Sequence, residues 1–165
     1  MKTIMKRRRL EAKTDYLFRR KLLVSNKPRM VVRKTNRYII SEYVISKEAK
    51  DSVTLLTNSR ELLKHGWPET FAGSLKSIPA SYLTGFLMGK KILEKDLEVP
   101  IMDFGMNRTI HKTKLFAFVK GLIDAGVEIN CDEKTFPEEE RIEGKNLKED
   151  FSKQFKTIKS KIGKQ

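Results

Sequence analysis

The sequence predicts an α/β fold in which a layered sheet packs against helices. The first third of the chain contains short β-branched runs such as Met30-Val31-Val32, which are typical of strands. From Pro79 onward, apolar residues recur every three or four positions, which is typical of helices. Strands that alternate with helices late in a chain favour a layered α/β sheet. The 165 residues suffice for one domain that buries about 68–70% of its unfolded surface.

Five strands are predicted, in the order βββαβαβ with a short extra helix after the third strand. The first three should form an antiparallel meander, with Thr35-Asn36 as the turn because asparagine tolerates positive φ. The five predicted strands are residues 29–34, 37–45, 53–57, 99–104 and 127–130.

The helical segments are defined by their apolar spacing and by glycines that stop them. Residues 14–23 should form a short helix with apolar contacts from Tyr16, Leu17 and Leu23. The spacing predicts further helices over residues 59–65, from Pro79 to beyond Leu93, over 113–125, and over 138–162, where Gly144 interrupts the pattern. Gly85 and Gly89 lie four residues apart and are expected to allow close helix packing rather than ligand contact.

The net charge is +14, and residues 1–40 alone carry +12. Such asymmetry predicts a polyanionic partner, either nucleic acid or an anionic membrane. No run approaches the ~18 consecutive apolar residues of a spanning helix, and the basic start lacks the apolar core of a secretory signal. Cys131 is the only cysteine, so no intramolecular disulfide is possible, which fits a reducing cytosolic setting.

The candidate binding residues are cations near the start of the chain, with two polar residues among them. Guanidinium groups suit phosphate oxygens, whereas tyrosine and asparagine can stack on or hydrogen-bond to bases. A solvated surface or a protected edge strand is the alternative. The candidates are Lys6, Arg7, Arg8, Arg9, Lys13, Tyr16, Arg19, Arg20, Lys21, Lys27, Arg29, Arg33, Lys34, Asn36 and Arg37. We expect residues 1–12 to form an exposed arm, whose cations Lys6, Arg7, Arg8 and Arg9 act together with Lys13. We expect the candidates from Arg29 onward to form a rigid face on the first hairpin.

Signals for catalysis are weak, so we expect no catalytic residue, metal or cofactor. The triplet Asp103-Phe104-Gly105 matches a kinase metal-binding element, but the other kinase motifs are missing from the sequence. His65 and His111 are isolated. Two rival classes remain: a nuclease, which needs clustered carboxylates for two metals, and a DNA-binding regulator, which needs a basic recognition helix.

Five separated motifs resemble one family. They are "RRRLEAKTDY" with the following "KPRMVVRKTNRYI", "HGW" at 65–67, "IPASYLTGFLMGKKI" at 78–92, "MDFGMN", and "FAFVKGLIDAGVEI" at 116–129. Together they cover roughly residues 5–147 and resemble the universal large-subunit ribosomal protein eighteen family in its archaeal form, whose eukaryotic counterpart is large-subunit protein five. Asn130-Cys131 stands where many relatives have Pro-His, and His65 replaces an aromatic residue.

The resemblance implies a ribonuclease-H-like fold of the translational-component type, with a mixed five-stranded sheet flanked by helices. It implies no catalytic activity. The family binds 5S rRNA and helps attach it to 23S rRNA in the central protuberance of the large subunit of the cytoplasmic ribosome, beside universal large-subunit protein five. We divide the chain accordingly into a basic arm and short helix (1–27), an α/β core (28–130) and a C-terminal helical extension (131–165).

Overall fold

The computed structural model describes residues 4–48, 50–147 and 151–164. Four strands form one mixed sheet in the order β3-β2-β1-β4. The strands are β1 (Arg29–Lys34), β2 (Ile39–Lys47), β3 (Lys50–Asn58) and β4 (Ile101–Asp103). The first three form the predicted antiparallel meander, and β4 pairs in parallel with β1.

The β1–β2 hairpin turns at Asn36-Arg37, one residue later than predicted. Lys34 pairs with Ile39, and Thr35 closes the loop because its side-chain oxygen accepts the Tyr38 N–H at 2.9 Å. Asn36 does not adopt positive φ. The two turn residues therefore project from the tip of a short, hydrogen-bonded loop.

Six α-helices and three 3₁₀ segments occur within the described residues. Their ends carry local capping contacts, such as the Asp15 carboxylate that accepts the backbone N–H groups of Leu17 and Phe18. The helices are α1 (Arg7–Leu10), α2 (Tyr16–Val24), α3 (Ile78–Glu94), α4 (Lys114–Ala125), α5 (Glu139–Glu143) and α6 (Ser152–Gly163). The 3₁₀ segments are Ser59–His65, Glu69–Ser74 and Glu133–Thr135.

The two long helices α3 and α4 cover one face of the sheet. Met30 and Val32 on β1, with Ile39 and Tyr43 on β2, are buried in a core shared with α3 and α4. Because successive strand residues point to opposite faces, the residues that alternate with these buried ones along each strand lie on the other face. That second face is the one that the N-terminal region crosses.

Three glycines let α3 and α4 approach until their backbones touch. A Cβ built on Gly85 would lie 2.1 Å from the Phe118 carbonyl oxygen, and one built on Gly121 would lie 2.1 Å from the Tyr82 carbonyl oxygen. At Gly89 an added Cβ would lie 2.5 Å from the Ala125 Cβ. The expectation that the Gly85 and Gly89 pair serves helix packing is confirmed.

The C-terminal helix α6 packs on α3 and on the 3₁₀ segment Ser59–His65. Phe151, Phe155, Ile158 and Ile162 are buried in a cluster that includes Trp67. A polar contact adds to this packing, since the Lys159 ammonium donates to the Tyr82 hydroxyl oxygen at 2.6 Å. Gly144, with φ of 84°, ends α5, so the periodic stretch 138–162 is divided there as its sequence indicates; residues 148–150 lie outside the described residues.

Two further structural predictions are wrong. Residues 127–130 do not form a fifth strand: Val127 is buried against the core, its N–H bonds to the Leu122 carbonyl, and the Ile129 N–H bonds back to Val127. These local hydrogen bonds take the place of the inter-strand hydrogen bonds that a fifth strand would form. In α2, Leu22 is the buried residue, whereas Leu17 is 65% exposed.

Within the described ranges, no helix combines the length and the apolar character that crossing a bilayer requires.

Replacing Gly121 with alanine tests the α3–α4 contact. The added methyl group meets a backbone carbonyl that cannot move without shifting α3, so Gly121→Ala should lower the free energy of unfolding by about 3 kcal/mol, near the top of the range for overpacked cores. Gly73→Ala is the matched control, because a Cβ there meets nothing within 4 Å. Equal denaturation midpoints for the two variants would show that the contact is not tight.

Candidate nucleic-acid interface

The N-terminal arm forms a single helical turn that lies exposed on the protein. Lys6 and the three arginines of α1 are all exposed, as predicted for residues 4–12; residues 1–3 lie outside the described residues. Glu11 is the acidic partner within the arm, at 3.6 Å from Arg7 and 2.8 Å from Lys13. The Arg8 Nε donates to the Thr14 hydroxyl at 2.9 Å.

An ion pair ties α2 to the sheet. The Arg19 guanidinium lies 2.8 Å from Asp51 on β3, and its side chain is only 31% exposed. At the start of α2, the Lys6 ammonium lies over the Tyr16 ring, 4.4 Å from its centroid. Arg20 and Lys21 remain exposed on the same helix. The structure therefore gives Arg19 a tethering contact and leaves its two neighbours free to face solvent.

Arg29 corrects the predicted hairpin face. Its side chain is only 3% exposed, and its NH1 lies 2.9 Å from Asp103 Oδ2 while its NH2 lies 2.8 Å from Asp51 Oδ1. Ser46 accepts a further hydrogen bond from NH2 at 3.1 Å. A guanidinium enclosed by two carboxylates cannot reach a phosphate at the surface, so Arg29 is a structural residue and not a binding one.

The arm and the open sheet face enclose a cleft of about 210 Å³. Basic side chains from both sides line it, among them Arg8, Lys13, Arg19 and Arg33. The buried Arg29 forms part of its floor. The fold thus brings together cations that are up to 25 positions apart in the sequence.

The hairpin presents its cations in two directions. Arg33 lies on the open face, is 61% exposed, and pairs with Glu42 at 3.1 Å. Lys34 follows Met30 and Val32 on the helix-covered side, and it is exposed where the strand ends. Asn36 and Arg37 are exposed at the tip. The hairpin therefore does not present its cations on a single face, as predicted, but on both sides of the sheet.

Many of the predicted residues have no acidic partner in the part of the chain that the structure describes. They are exposed and form no ion pair there. These residues are Lys6, Arg8, Arg9, Arg20, Lys21, Lys27, Lys34 and Arg37.

The carboxylates that neutralise the remaining cations were not identified from the sequence. Asp103, in the kinase-like triplet, accepts the Arg29 guanidinium and also the Gly105 N–H at 2.9 Å, so the triplet has a structural role. The only sequence signal for it is an aspartate near the end of the predicted strand 99–104. Among the described residues, no group of three or more histidine, cysteine, aspartate or glutamate side chains could hold a metal ion.

Asp51 is held in its charged form by its neighbours. Partial burial acts to raise the pKa of Asp51, but hydrogen bonds from Ser46, Arg19 and Arg29 outweigh it, so the pKa lies below its usual value. A carboxylate with a lowered pKa stabilises the fold above its unfolded pKa, and this contribution is lost as the pH falls through the folded one.

Comparison with known proteins gives one consistent result. A family model described as "Ribosomal large subunit proteins 60S L5, and 50S L18" matches residues 2–102. "Large ribosomal subunit protein uL18" of Caldivirga maquilingensis is 41% identical over 142 residues, which is 86% of this chain and 67% of that protein. The protein of the same name from Korarchaeum cryptofilum is 41% identical over 141 residues, covering 86% and 70%. That of Methanoregula boonei is 40% identical over 141 residues, covering 86% and 79%.

Substituting Arg29 tests whether its ion pairs are structural. Arg29→Met leaves Asp103 buried without its cation, so the free energy of unfolding should fall by about 3–5 kcal/mol. Arg33→Met is the matched control, because it removes an exposed pair on the same strand and should cost about 1 kcal/mol or less. Chemical denaturation measures both. Similar losses in the two variants would contradict the assignment of Arg29.

The lowered pKa of Asp51 predicts a pH effect of definite sign. The wild-type protein should lose the contribution of Asp51 as the pH falls below about 4, through the lowered pKa. Asp51→Asn should be less stable than the wild type at pH 7, and this difference should shrink at pH 3. Urea denaturation at the two pH values gives the difference directly, and a gap that stays constant or widens in acid would show the sign to be wrong.

Proposed function

We propose that this chain, which belongs to the large ribosomal subunit protein uL18 family, binds 5S rRNA. It is a structural, non-enzymatic constituent of the large subunit of the cytoplasmic ribosome and associates with rRNA. In this proposal it helps attach 5S rRNA to 23S rRNA in the central protuberance, beside universal large-subunit protein five. We also propose that its mixed sheet and helices are a four-stranded form of the ribonuclease-H-like fold of translational components.

The observation that carries the proposal is the group of exposed cations without acidic partners on the arm, α2 and the hairpin. Like charges gathered in one region of a surface repel one another, and a polyanion removes that repulsion. Binding RNA also releases the counterions condensed on its phosphates, which supplies most of the affinity. The positive charge of this surface is therefore not compensated until an RNA backbone binds to it.

The arm and the hairpin contribute differently. The arm has one turn of helix and no buried residue, so it is free to adapt to an RNA groove and to become fixed there. The hairpin is held in its ladder register and presents Arg33, Lys34 and Arg37 at fixed positions. Arg29 supports this surface from beneath, through Asp51 and Asp103, without touching RNA.

Selectivity for 5S rRNA requires contacts beyond phosphate. A-form RNA hides its major groove, so proteins read its shape and its unpaired bases. Asn36 at the hairpin tip is exposed and is suited to hydrogen-bond such a base. Tyr16 can stack on a base only if the base displaces or joins the Lys6 ammonium that already covers its ring.

Removing the arm arginines tests the proposed interface. Because Arg7, Arg8 and Arg9 are exposed and bury nothing, replacing all three with alanine should weaken binding to 5S rRNA without lowering the thermal midpoint. About eight phosphate contacts give the wild type a slope of about −6 to −7 when log affinity is plotted against log salt concentration. In the variant, the magnitude of this slope should be smaller by about 2–3. Fluorescence anisotropy with labelled 5S rRNA measures both quantities.

The matched control removes the same charge elsewhere. Lys153 and Lys161 are exposed on α6 and Lys164 is exposed directly after it, and replacing all three with alanine should leave the 5S affinity close to that of the wild type. If the arm variant binds as tightly as this control at moderate salt, the arm does not hold the RNA. A flat salt response of the wild type would refute the electrostatic account as a whole.

A further inference from the structure

The strand β3 forms an open edge of the sheet. It has nine residues, and its one neighbour in the strand order is β2. The strand at the opposite edge, β4, has only three residues. Proteins usually protect a long edge strand with prolines, with charged side chains or with a covering element. Residues 52–58 of β3 contain neither a proline nor a charged side chain, so this edge has little of that protection.

The hydrogen bond of Asn58 shows which backbone groups of β3 point outward. Asn58 lies opposite Ile40 in the register, but its N–H donates to the Glu61 carboxylate at 3.0 Å. In an antiparallel strand every second residue directs its N–H and C=O to the same side. Leu56, which lies opposite Glu42, therefore also directs these two groups away from β2. It offers one donor and one acceptor to a further strand.

A bulge limits the part of the edge that can pair. Tyr43 pairs with Leu55 and Val44 pairs with Val53, so Thr54 is the extra residue on β3. An extra residue bends the strand and interrupts its ladder. The regular part of the edge is therefore residues 55–58, and a partner strand would pair there.

Two exposed apolar side chains lie beside this edge on the open sheet face. Val53 is 52% exposed and Leu56 is 54% exposed. Val53 also lines the arm cleft, but Leu56 does not. A strand added to β3 would direct alternate side chains to the same face, where an apolar one would cover Leu56.

The charges around the edge favour an acidic protein segment over RNA. Residues 52–58 span about 23 Å without a cation, so a phosphate chain along them would find no charge partner. Exposed cations without an ion pair in the described ranges flank this stretch at both ends, offset only by Glu48 at the β2–β3 turn. These cations are Lys47, Lys50, Arg60 and Lys64.

We infer that the edge of β3 accepts an extended segment of a partner protein as an additional strand. Main-chain hydrogen bonds at Leu56 hold the segment, an apolar side chain covers Leu56, and carboxylates near both ends of the segment meet the flanking cations. The inference does not rest on the proposed function, since neither Leu56 nor these cations are among the predicted RNA contacts.

The experiment adds a fluorescently labelled peptide to the full chain without RNA. The peptide has about ten residues, with threonine and valine in alternation and two glutamates at each end, which is the chemistry that the edge requires. Salt at about 300 mM weakens attraction by charge alone. Anisotropy should give a dissociation constant below about 1 mM. At saturating peptide, amide hydrogen exchange of Leu56 should slow about tenfold or more, because its N–H becomes hydrogen-bonded.

A matched peptide and two variants separate strand pairing from charge. The same peptide with N-methyl groups on every valine and threonine keeps its charge but lacks those donors, and it should not bind. Leu56→Lys adds a positive charge that favours the acidic peptide, yet it should weaken binding about fivefold or more, because the apolar contact is lost. Leu93→Lys adds the same charge at a leucine of α3 that is 47% exposed, and it should bind like the wild type. Thermal midpoints show whether both variants fold.

Four results would overturn the inference. The first is no binding by the wild type at about 1 mM peptide. The second is equal binding of the N-methylated peptide, which would assign the attraction to charge alone. The third is equal binding by the Leu56→Lys and Leu93→Lys variants. The fourth is an RNA duplex that slows exchange at Leu56 as much as the peptide does, which would assign the edge to RNA.

Discussion

The buried guanidinium of Arg29 is the interaction on which the rest of the structure depends. A charge removed from water must be neutralised and hydrogen-bonded nearby, or the fold loses several kcal/mol. Asp103 at the end of β4 and Asp51 on β3 neutralise the guanidinium through its two terminal nitrogens, NH1 and NH2, from opposite sides of β1. One side chain therefore links the central strand to the parallel edge strand and to the far antiparallel strand.

The same network sets the position of the basic N-terminal region. Asp51 uses one oxygen for Arg29 and the other for Arg19, so α2 is attached to the sheet through a shared carboxylate. Because α1 precedes α2 closely in the chain, this attachment also keeps the arm over the open sheet face. The cations that we propose to bind RNA and the cations that stabilise the fold are the same residue types. Their roles differ because carboxylates lie within reach of some of them and not of others.

Much of the fold could be predicted from local patterns. The meander, α3, α4 and the close helix contact follow from β-branched runs, apolar spacing and paired glycines, all of which act over a few residues. The fifth strand could not be judged in this way, because residues 127–130 have an apolar pattern that suits either a strand or a buried coil. Only the hydrogen bond from Val127 back to Leu122 decides between them.

The binding surface could be predicted only in outline. The charge excess of residues 1–40 identifies the region, but pairing with acidic side chains depends on contacts across the sequence. Arg29 and Asp103 are 74 positions apart, so nothing near Arg29 in the sequence distinguishes it from Arg33.

The central claim is that this surface recognises 5S rRNA and not structured RNA in general. The most direct measurement is a competition titration in which unlabelled 5S rRNA or tRNA displaces labelled 5S rRNA from the wild-type protein at about 150 mM salt, where nonspecific phosphate binding is weak. We expect 5S rRNA to compete at least about tenfold better than tRNA. Equal competition by the two RNAs would contradict it and leave only nonspecific attraction between a basic protein and RNA.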